Sequence, residues 1–311
     1  MSDAVLDLLR ERTRQHSTPG NRTDGARLVL LVEGGSSRGA YSSGMTVAIE
    51  QLGLLPAFDA VYGSSAGSLN AAWLLCGRAD STKHAWWDPA VMRTTINPMR
   101  ALRRLPVVDT QHLVHTIYTE VHPMGFQDIL DNPVEFHPMA TDALTGESAD
   151  LHSRIHDVPS LQAALRASTA MPLLAGPPVL IDGRPYVDAG MSEMVPVRSA
   201  LEQGATHLVV LRTVRTDEVP MSPSRGERLV LSRWIARHAP GVVEAWLRRR
   251  EERIAEEEML ASHAACLQIR PPLGSLRVGR TERRPEVLRA VVEIGTRAAA
   301  DALATCVLES R

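Results

Sequence analysis

The chain has 311 residues, 44% of them hydrophobic and 23% charged, which is enough to bury a sizeable core as one large domain or one domain with an appendage. A formal net charge of −2 gives no case for binding nucleic acid, and no run approaches the ~18 uninterrupted apolar residues that span a bilayer. Cys76, Cys266 and Cys306 are odd in number and far apart, so they read as reduced thiols in a cytoplasmic setting, with no spacing that suggests a metal site.

Residues 1–24 are polar and carry Asp3, Arg10, Glu11, Arg12 and Arg14 without a long apolar core. They read as a flexible N-terminal segment and not as a secretory signal. The apolar run at 28–32 predicts a strand that ends in Glu33-Gly34-Gly35-Ser36-Ser37-Arg38-Gly39, and a helix is expected over 40–52. Glycines at a strand end let successive backbone N–H groups converge on one point, and the helix that follows adds the positive end of its dipole, an arrangement suited to an oxyanion. A nucleotide loop is excluded, because there is no G-x-x-x-x-G-K-[ST] and Ser36 stands where a dinucleotide fingerprint needs its third glycine. Taken alone, the cluster reads better as a plain glycine-rich turn. Arg38 either adds positive charge there or ties loop carbonyls, and the second role is preferred.

A second short apolar run at 58–62 leads into Gly63-Ser64-Ser65-Ala66-Gly67 and then a helix-forming run at 68–76. In so tight a strand-to-helix turn the central serine is forced into a strained conformation with its hydroxyl clear of the backbone, so Ser65 is the first candidate nucleophile. The competing explanation is that small residues simply let a helix start close to a strand. Residues 80–130 are less regular. There Trp86, Trp87, Met92, Met99, Leu102 and Leu105 either pack or line an acyl pocket, packing being slightly preferred.

A second series follows, with a strand at 134–141, a helix at 159–168, a hairpin through Asp182-Gly183 to residue 187, a helix near 196–203 and a strand at 207–212. In Tyr186-Val187-Asp188-Ala189-Gly190 an aspartate precedes two small residues at a strand end, which lets its carboxylate come close to a serine hydroxyl. Alternating strands and helices argue an α/β fold, a mostly parallel central sheet with helices on both faces. Beyond a Pro/Ser-rich linker at 220–225, residues 225–239 and 242–260 carry apolar residues at helical spacing with arginines between them. Such helices either lie on an anionic bilayer or pack on the main domain, and the glutamates at 251, 252 and 256–258 favour packing. The last helix, near 285–308, looks structural too.

In order, G-G-x-x-R-G, G-x-S-x-G and D-A-G, each at a strand end, resemble the patatin-like phospholipase family, and the likeness runs from about residue 28 to 214. Ala167-Ser168-Thr169-Ala170-Met171-Pro172, Val195-Pro196-Val197 and Ala140-Thr141-Asp142 add to it. Two departures stand out: Ser36 replaces the usual third glycine, and Asp188-Ala189-Gly190 replaces Asp-Gly-Gly or Asp-Gly-Ala. The resemblance implies a catalytic domain at 25–214 with a mainly helical region at 215–311 packed on it. It implies a Ser65/Asp188 dyad without histidine, an oxyanion hole at Gly34, Gly35 and Ser36, and support from Arg38, Gly39, Gly63, Gly67 and Gly190. It implies no cofactor, and as substrate a lipid or other acyl ester, with peripheral membrane contact compatible. Two other readings stand beside it: an esterase or thioesterase of soluble acyl compounds, and a non-catalytic lipid-binding protein closed by Ser36. A Ser-Asp-His triad would draw on His207, His238 or His263, none of which sits in a loop signature of its own.

Overall fold

The computed structural model describes residues 2–103, 105–218 and 225–306, so the linker expected at 220–225 lies, except for Arg225, outside the described residues. Eight strands form one sheet: β1 (Leu28–Val32), β2 (Ala60–Ser64), β3 (Glu135–Asp142), β4 (Ser148–Asp150), β5 (Val179–Ile181), β6 (Arg184–Asp188), β7 (His207–Leu211) and β8 (Cys266–Ile269). Their order is β5-β6-β3-β2-β1-β7-β8, with β4 also paired to β3. The β3-β2-β1-β7-β8 stretch is parallel throughout, while β4 and β6 pair with β3 antiparallel and β5 pairs with β6 antiparallel.

Alternation along the central strands divides the apolar core. Leu28, Leu30 and Val32 face one core with Val61, Val209 and Ile269, whereas Val29 and Leu31 face another with Tyr62, Leu208 and Val210. Because both faces are buried, these strands read as continuous apolar runs, as buried parallel strands do. The helices that cover them include α1 (Ser2–Arg14), α2 (Gly39–Gln51), α3 (Ala66–Leu75), α4 (Val158–Ser168), α5 (Val197–Glu202), α6 (Arg225–His238), α7 (Val242–Ser262) and α8 (Pro285–Leu303). Local chemistry sets some of these bounds: Asp157 caps α4 by accepting from the Ser160 N–H at 2.9 Å, and the Ser160 hydroxyl accepts from the Asp157 N–H at 2.9 Å. No helix among the described residues is long and apolar enough to cross a membrane.

Two expectations need correction. Residues 2–14 of the supposedly flexible segment are a helix, because Val5, Leu9 and Arg12 recur on one face and all three are buried. Arg12 is held by Asp24 and Asp59, each at 2.8 Å, and donates to the Ala57 carbonyl at 2.9 Å. The C-terminal third is also more than a helical appendage. Its β8 extends the sheet beside β7, and Ala299 and Leu303 of α8 lie in the main core. The α8 backbone approaches α2 so closely that a Cβ at Gly295 would stand 2.1 Å from the Tyr41 carbonyl oxygen, and one at Gly44 1.9 Å from that of Val292. Cys76, Cys266 and Cys306 are unpaired.

A buried ion pair ties the loop after β1 to the end of β7 and, through Arg212, to α7. Glu33, just past β1, and Arg212, just past β7, are 0% and 1% exposed in their side chains, with Arg212 Nε 2.9 Å from Glu33 Oε2. Burial opposes ionisation of Glu33, but Arg212, Arg253 and the Thr213 N–H outweigh it and hold the carboxyl below its ordinary range. Arg212 also donates to Glu257 of α7 and to Gln268 of β8. Replacing Arg212 with Met strands a buried carboxylate, so chemical denaturation should show a loss of about 3–5 kcal/mol. A loss near zero would mean that Arg253 takes over as partner.

Candidate active site

Three strand ends meet above the sheet: the glycine loop after β1, the turn after β2 and the end of β6. This is the carboxyl edge of the parallel strands, where open α/β sheets leave a crevice. Ser65 sits between β2 and α3 with φ +55° and ψ −128°, an unfavourable backbone state for a residue bearing a side chain. Its neighbours hold it there. The Ser65 N–H donates to the Ser168 hydroxyl at 3.1 Å, Ser68 and Ser168 share a further hydrogen bond at 2.6 Å, and the Ser68 N–H donates to the Ser65 carbonyl at 2.9 Å. Gly67 lets α3 start against β1, since a Cβ there would stand 2.1 Å from the Val32 carbonyl oxygen, and a Cβ at Gly63 would stand 2.5 Å from the Ser68 Cα.

From that strained turn the Ser65 hydroxyl donates to Asp188 Oδ2 at 2.6 Å, across 123 residues of sequence. Ser65 and Asp188 are 5% and 6% exposed. The other oxygen of Asp188 accepts the Gly190 N–H at 2.9 Å, and the Asp188 carbonyl accepts from the Thr141 hydroxyl at 2.9 Å. Burial raises the Asp188 carboxyl to about 6, against the opposing pull of the Ser65 and Gly190 hydrogen bonds and the charge of Arg280.

The glycine loop lies directly against the serine. At Gly34 a Cβ would be 2.2 Å from the Ser64 carbonyl oxygen and 2.8 Å from the Ser65 Cβ. Gly35 has φ +133° and Ser36 has φ +55°, so Ser36 occupies the kind of backbone state that a glycine would take freely. Among the described residues, the N–H groups of Gly35 and Ser36 have no protein acceptor. Arg38 does not tie the loop as expected: its Nε and Nη2 are buried with no hydrogen-bond partner among the described residues. The loop is held instead by Thr213, whose hydroxyl donates to the Gly34 carbonyl at 2.7 Å, and by Asn70, whose amide donates to the Gly39 carbonyl at 2.8 Å.

Two cavities open from Ser65. One is an apolar chamber of about 920 Å³, counting space open to solvent, walled by Leu69, Trp73, Trp86, Met92, Leu113 and Tyr118 among others. Residues 80–130 thus divide. Trp86 and Met92 line the chamber, Trp87 packs near α8, and Met99, Leu102 and Leu105 are exposed on a surface turn. The second cavity, bordered by Asp188, Gly190 and Ser36, gathers five arginines, with Met171, Met191, Met194 and Trp246 also in its wall. No histidine lines either one. His207 begins β7 at the opposite end of the sheet beside Thr206, His238 bonds and stacks with Trp234, and His263 lies at the α7 terminus.

Sequence reasoning did not assign roles to Ser168, Asn70, Thr213 or Glu33, because each acts through a neighbour: Glu33 and Ser168 stand inside quoted motifs, but nothing in the sequence shows what they hold. Ser168→Ala should leave the Ser65 N–H buried without an acceptor and lower stability by about 1–3 kcal/mol, read by urea denaturation. An unchanged midpoint would mean that Ser168 does not hold the turn.

A family model for patatin-like phospholipases matches residues 30–201, more than half of the chain. YjjU of Escherichia coli K12, an uncharacterized protein, is 28% identical over 194 residues, which make up 60% of this chain and 52% of YjjU. The chain therefore spans about half the length of that relative. Among solved structures, VipD from Legionella pneumophila aligns at a TM-score of 0.42 and 12% identity, covering 91% of this chain and 67% of VipD. Human GIVD cytosolic phospholipase A2, solved with methyl gamma-linolenyl fluorophosphonate and terbium chloride, aligns at 0.34 and 12%, covering 99% of this chain and 64% of that one.

Proposed function

The chain belongs to the patatin-like phospholipase family, and on that premise we propose that it is a serine acyl hydrolase cleaving carboxylic esters of lipids through Ser65 and Asp188. The observation that carries this reading is the 2.6 Å hydrogen bond between a strained serine and a buried aspartate at the mouth of an apolar chamber. In it, Asp188 accepts the Ser65 proton as Oγ attacks the ester carbonyl. The acyl chain lies in the chamber walled by Trp73, Trp86 and Met92. The N–H groups of Gly34, Gly35 and Ser36 meet the oxyanion, a contact worth about 3 kcal/mol per donor. Asp188 returns the proton to the leaving alcohol, and then activates water to release the acyl group from Ser65.

Burial makes Asp188 a better base. A carboxylate at its ordinary pKa binds a proton weakly at neutral pH, whereas one lifted to about 6 is still mostly ionised at pH 7 and holds the proton more firmly. The positive φ of Ser36 keeps the loop in a glycine-like path, which speaks against a site closed by that side chain.

A fluorophosphonate probe should label the wild type and fail on Ser65→Ala. Labelling that survives Ser65→Ala but is lost in Ser64→Ala or Ser68→Ala would show that the turn has been assigned to the wrong serine.

The pH profile tests the base. Because only ionised Asp188 accepts the serine proton, kcat/KM should rise with pH through an apparent pKa of about 6 and level off above it. Asp188→Asn should lower kcat by roughly 10³–10⁴-fold. Substituting His207, His238 or His263 with Gln should leave kcat within about tenfold. One such variant as inactive as Asp188→Asn, yet folded, would establish a triad.

A further inference from the structure

Helix α7 turns inward one carboxyl that the reaction at Ser65 does not use. Glu256 is 3% exposed, and its Oε1 accepts the Met194 N–H at 2.7 Å while its Oε2 accepts that of Val195 at 3.4 Å. Both N–H groups belong to the short segment that leads away from Asp188. Of the charges around Glu256, Glu193 stands on that segment, Glu33 at the start of the glycine loop and Arg253 one turn earlier on α7, with Arg38 and Arg280 in the same cleft wall. Burial lifts Glu256 to about 8, against the pull of the Met194 hydrogen bond and of Arg253. Near neutrality it is therefore an uncharged acceptor.

The segment it holds lies between the two reacting residues. On the far side the Ser64 hydroxyl donates to the Glu193 carbonyl at 3.1 Å, and in the middle the Thr141 and Ser192 hydroxyls share a hydrogen bond at 2.7 Å. Met194 presses on Gly190: a Cβ at Gly190 would stand 2.9 Å from the Met194 Cε and 3.1 Å from Asp188 Oδ1. Gly190 in turn gives its N–H to Asp188 Oδ1 at 2.9 Å. An N–H donated to a carboxylate favours its charged form, so whatever keeps Gly190 in place also sets how readily Asp188 takes a proton. Buried N–H groups deprived of an acceptor move to find another, and at Met194 such a movement would release Gly190.

We propose that Glu256 is a positioning residue for the base: by holding the backbone of Met194 and Val195 it keeps Met194 against Gly190 and the Gly190 N–H on Asp188. The proposal rests on the reading of Ser65 and Asp188 as the reacting pair. Glu256 falls outside the 30–201 stretch matched by the family model, so the C-terminal part of the chain acts on the base as well as walling the cleft.

The test compares Glu256→Gln, which keeps an acceptor oxygen, with Glu256→Met, which fills the same space without one. In Glu256→Met the Asp188 carboxylate loses the Gly190 N–H, so the acid limb of kcat/KM should move to higher pH by about one unit, the scale of one charge-assisted hydrogen bond. At about pH 5 that is a loss of roughly tenfold, while the plateau should change by less than about threefold. A general structural loss would lower every pH alike. Glu256→Gln should keep the limb at about 6. A limb that stays there in folded Glu256→Met, or that moves as far in Glu256→Gln, overturns the proposal. Met194→Ala removes the side chain between the two without touching α7 and should shift the limb the same way. If Glu256→Met does not fold, an unmoved limb in Met194→Ala overturns the proposal in its place.

A titration that needs no turnover separates this claim from the hydrolase reading. With isotope-labelled aspartate carboxyls, the NMR signal of Asp188, assigned through Asp188→Asn, should titrate at about 6 in wild type and Glu256→Gln and about one unit higher in Glu256→Met. If no ester is turned over and the fluorophosphonate fails to label, the hydrolase reading falls while this titration still decides whether Glu256 acts on the carboxyl. An Asp188 signal that titrates alike in all three proteins overturns the positioning role.

Discussion

The buried Glu33–Arg212 pair is the constraint on which the site depends. Glu33 follows β1 and begins the glycine loop, and Arg212 follows β7 and reaches α7 and β8. Through it, the loop beside Ser65 is fastened to the C-terminal third of the chain. A buried ion pair is seldom a net gain over apolar packing, but one broken on a single side leaves a charge that nothing solvates. Register is the evident use. The Thr213 N–H and Arg212 Nε converge on one Glu33 oxygen at 2.8 and 2.9 Å, so the loop has little freedom to slide relative to β7.

Strain and burial are concentrated around that anchor. Ser65 has a backbone conformation that costs free energy, and Asp188 carries a carboxylate that burial disfavours. Neither would persist in an isolated strand-turn-helix unit. The Ser68–Ser168 hydrogen bond, the Thr141 hydroxyl on the Asp188 carbonyl and the tight contact of Gly67 with Val32 together over-determine the geometry. The same apparatus brings an aspartate and a serine 123 residues apart to within one hydrogen bond.

Two walls of different chemistry meet at this serine. The apolar wall comes from residues near 69–118, including a π-helical stretch, Leu113–Val121, that presents Leu113 and Tyr118 to the chamber. The arginine-bearing wall comes from α7 and the segment that carries Arg280.

Much of the fold was legible because its signals are local. Apolar runs at 28–32 and 208–211 are long enough to require burial on both faces, and the turn at Asp182-Gly183 announces its hairpin. Ser65 was legible for a similar reason, since a strand-to-helix turn with glycines on both sides of a serine permits few conformations. The helix at Ser2–Arg14 was missed because its polar residues outnumber the buried face, and β8 because four residues after a long helix give too short a period. The arginine cleft had no signature at all, as arginines on a helix usually face water. The sequence by itself determined the strand-to-helix units and the two side chains offered for chemistry, through periodicity and backbone sterics. Only the tertiary structure decided what surrounds them, because Ser168 behind the turn, Glu33 on Arg212 and Arg280 beside Asp188 meet through pairings between residues far apart in the chain.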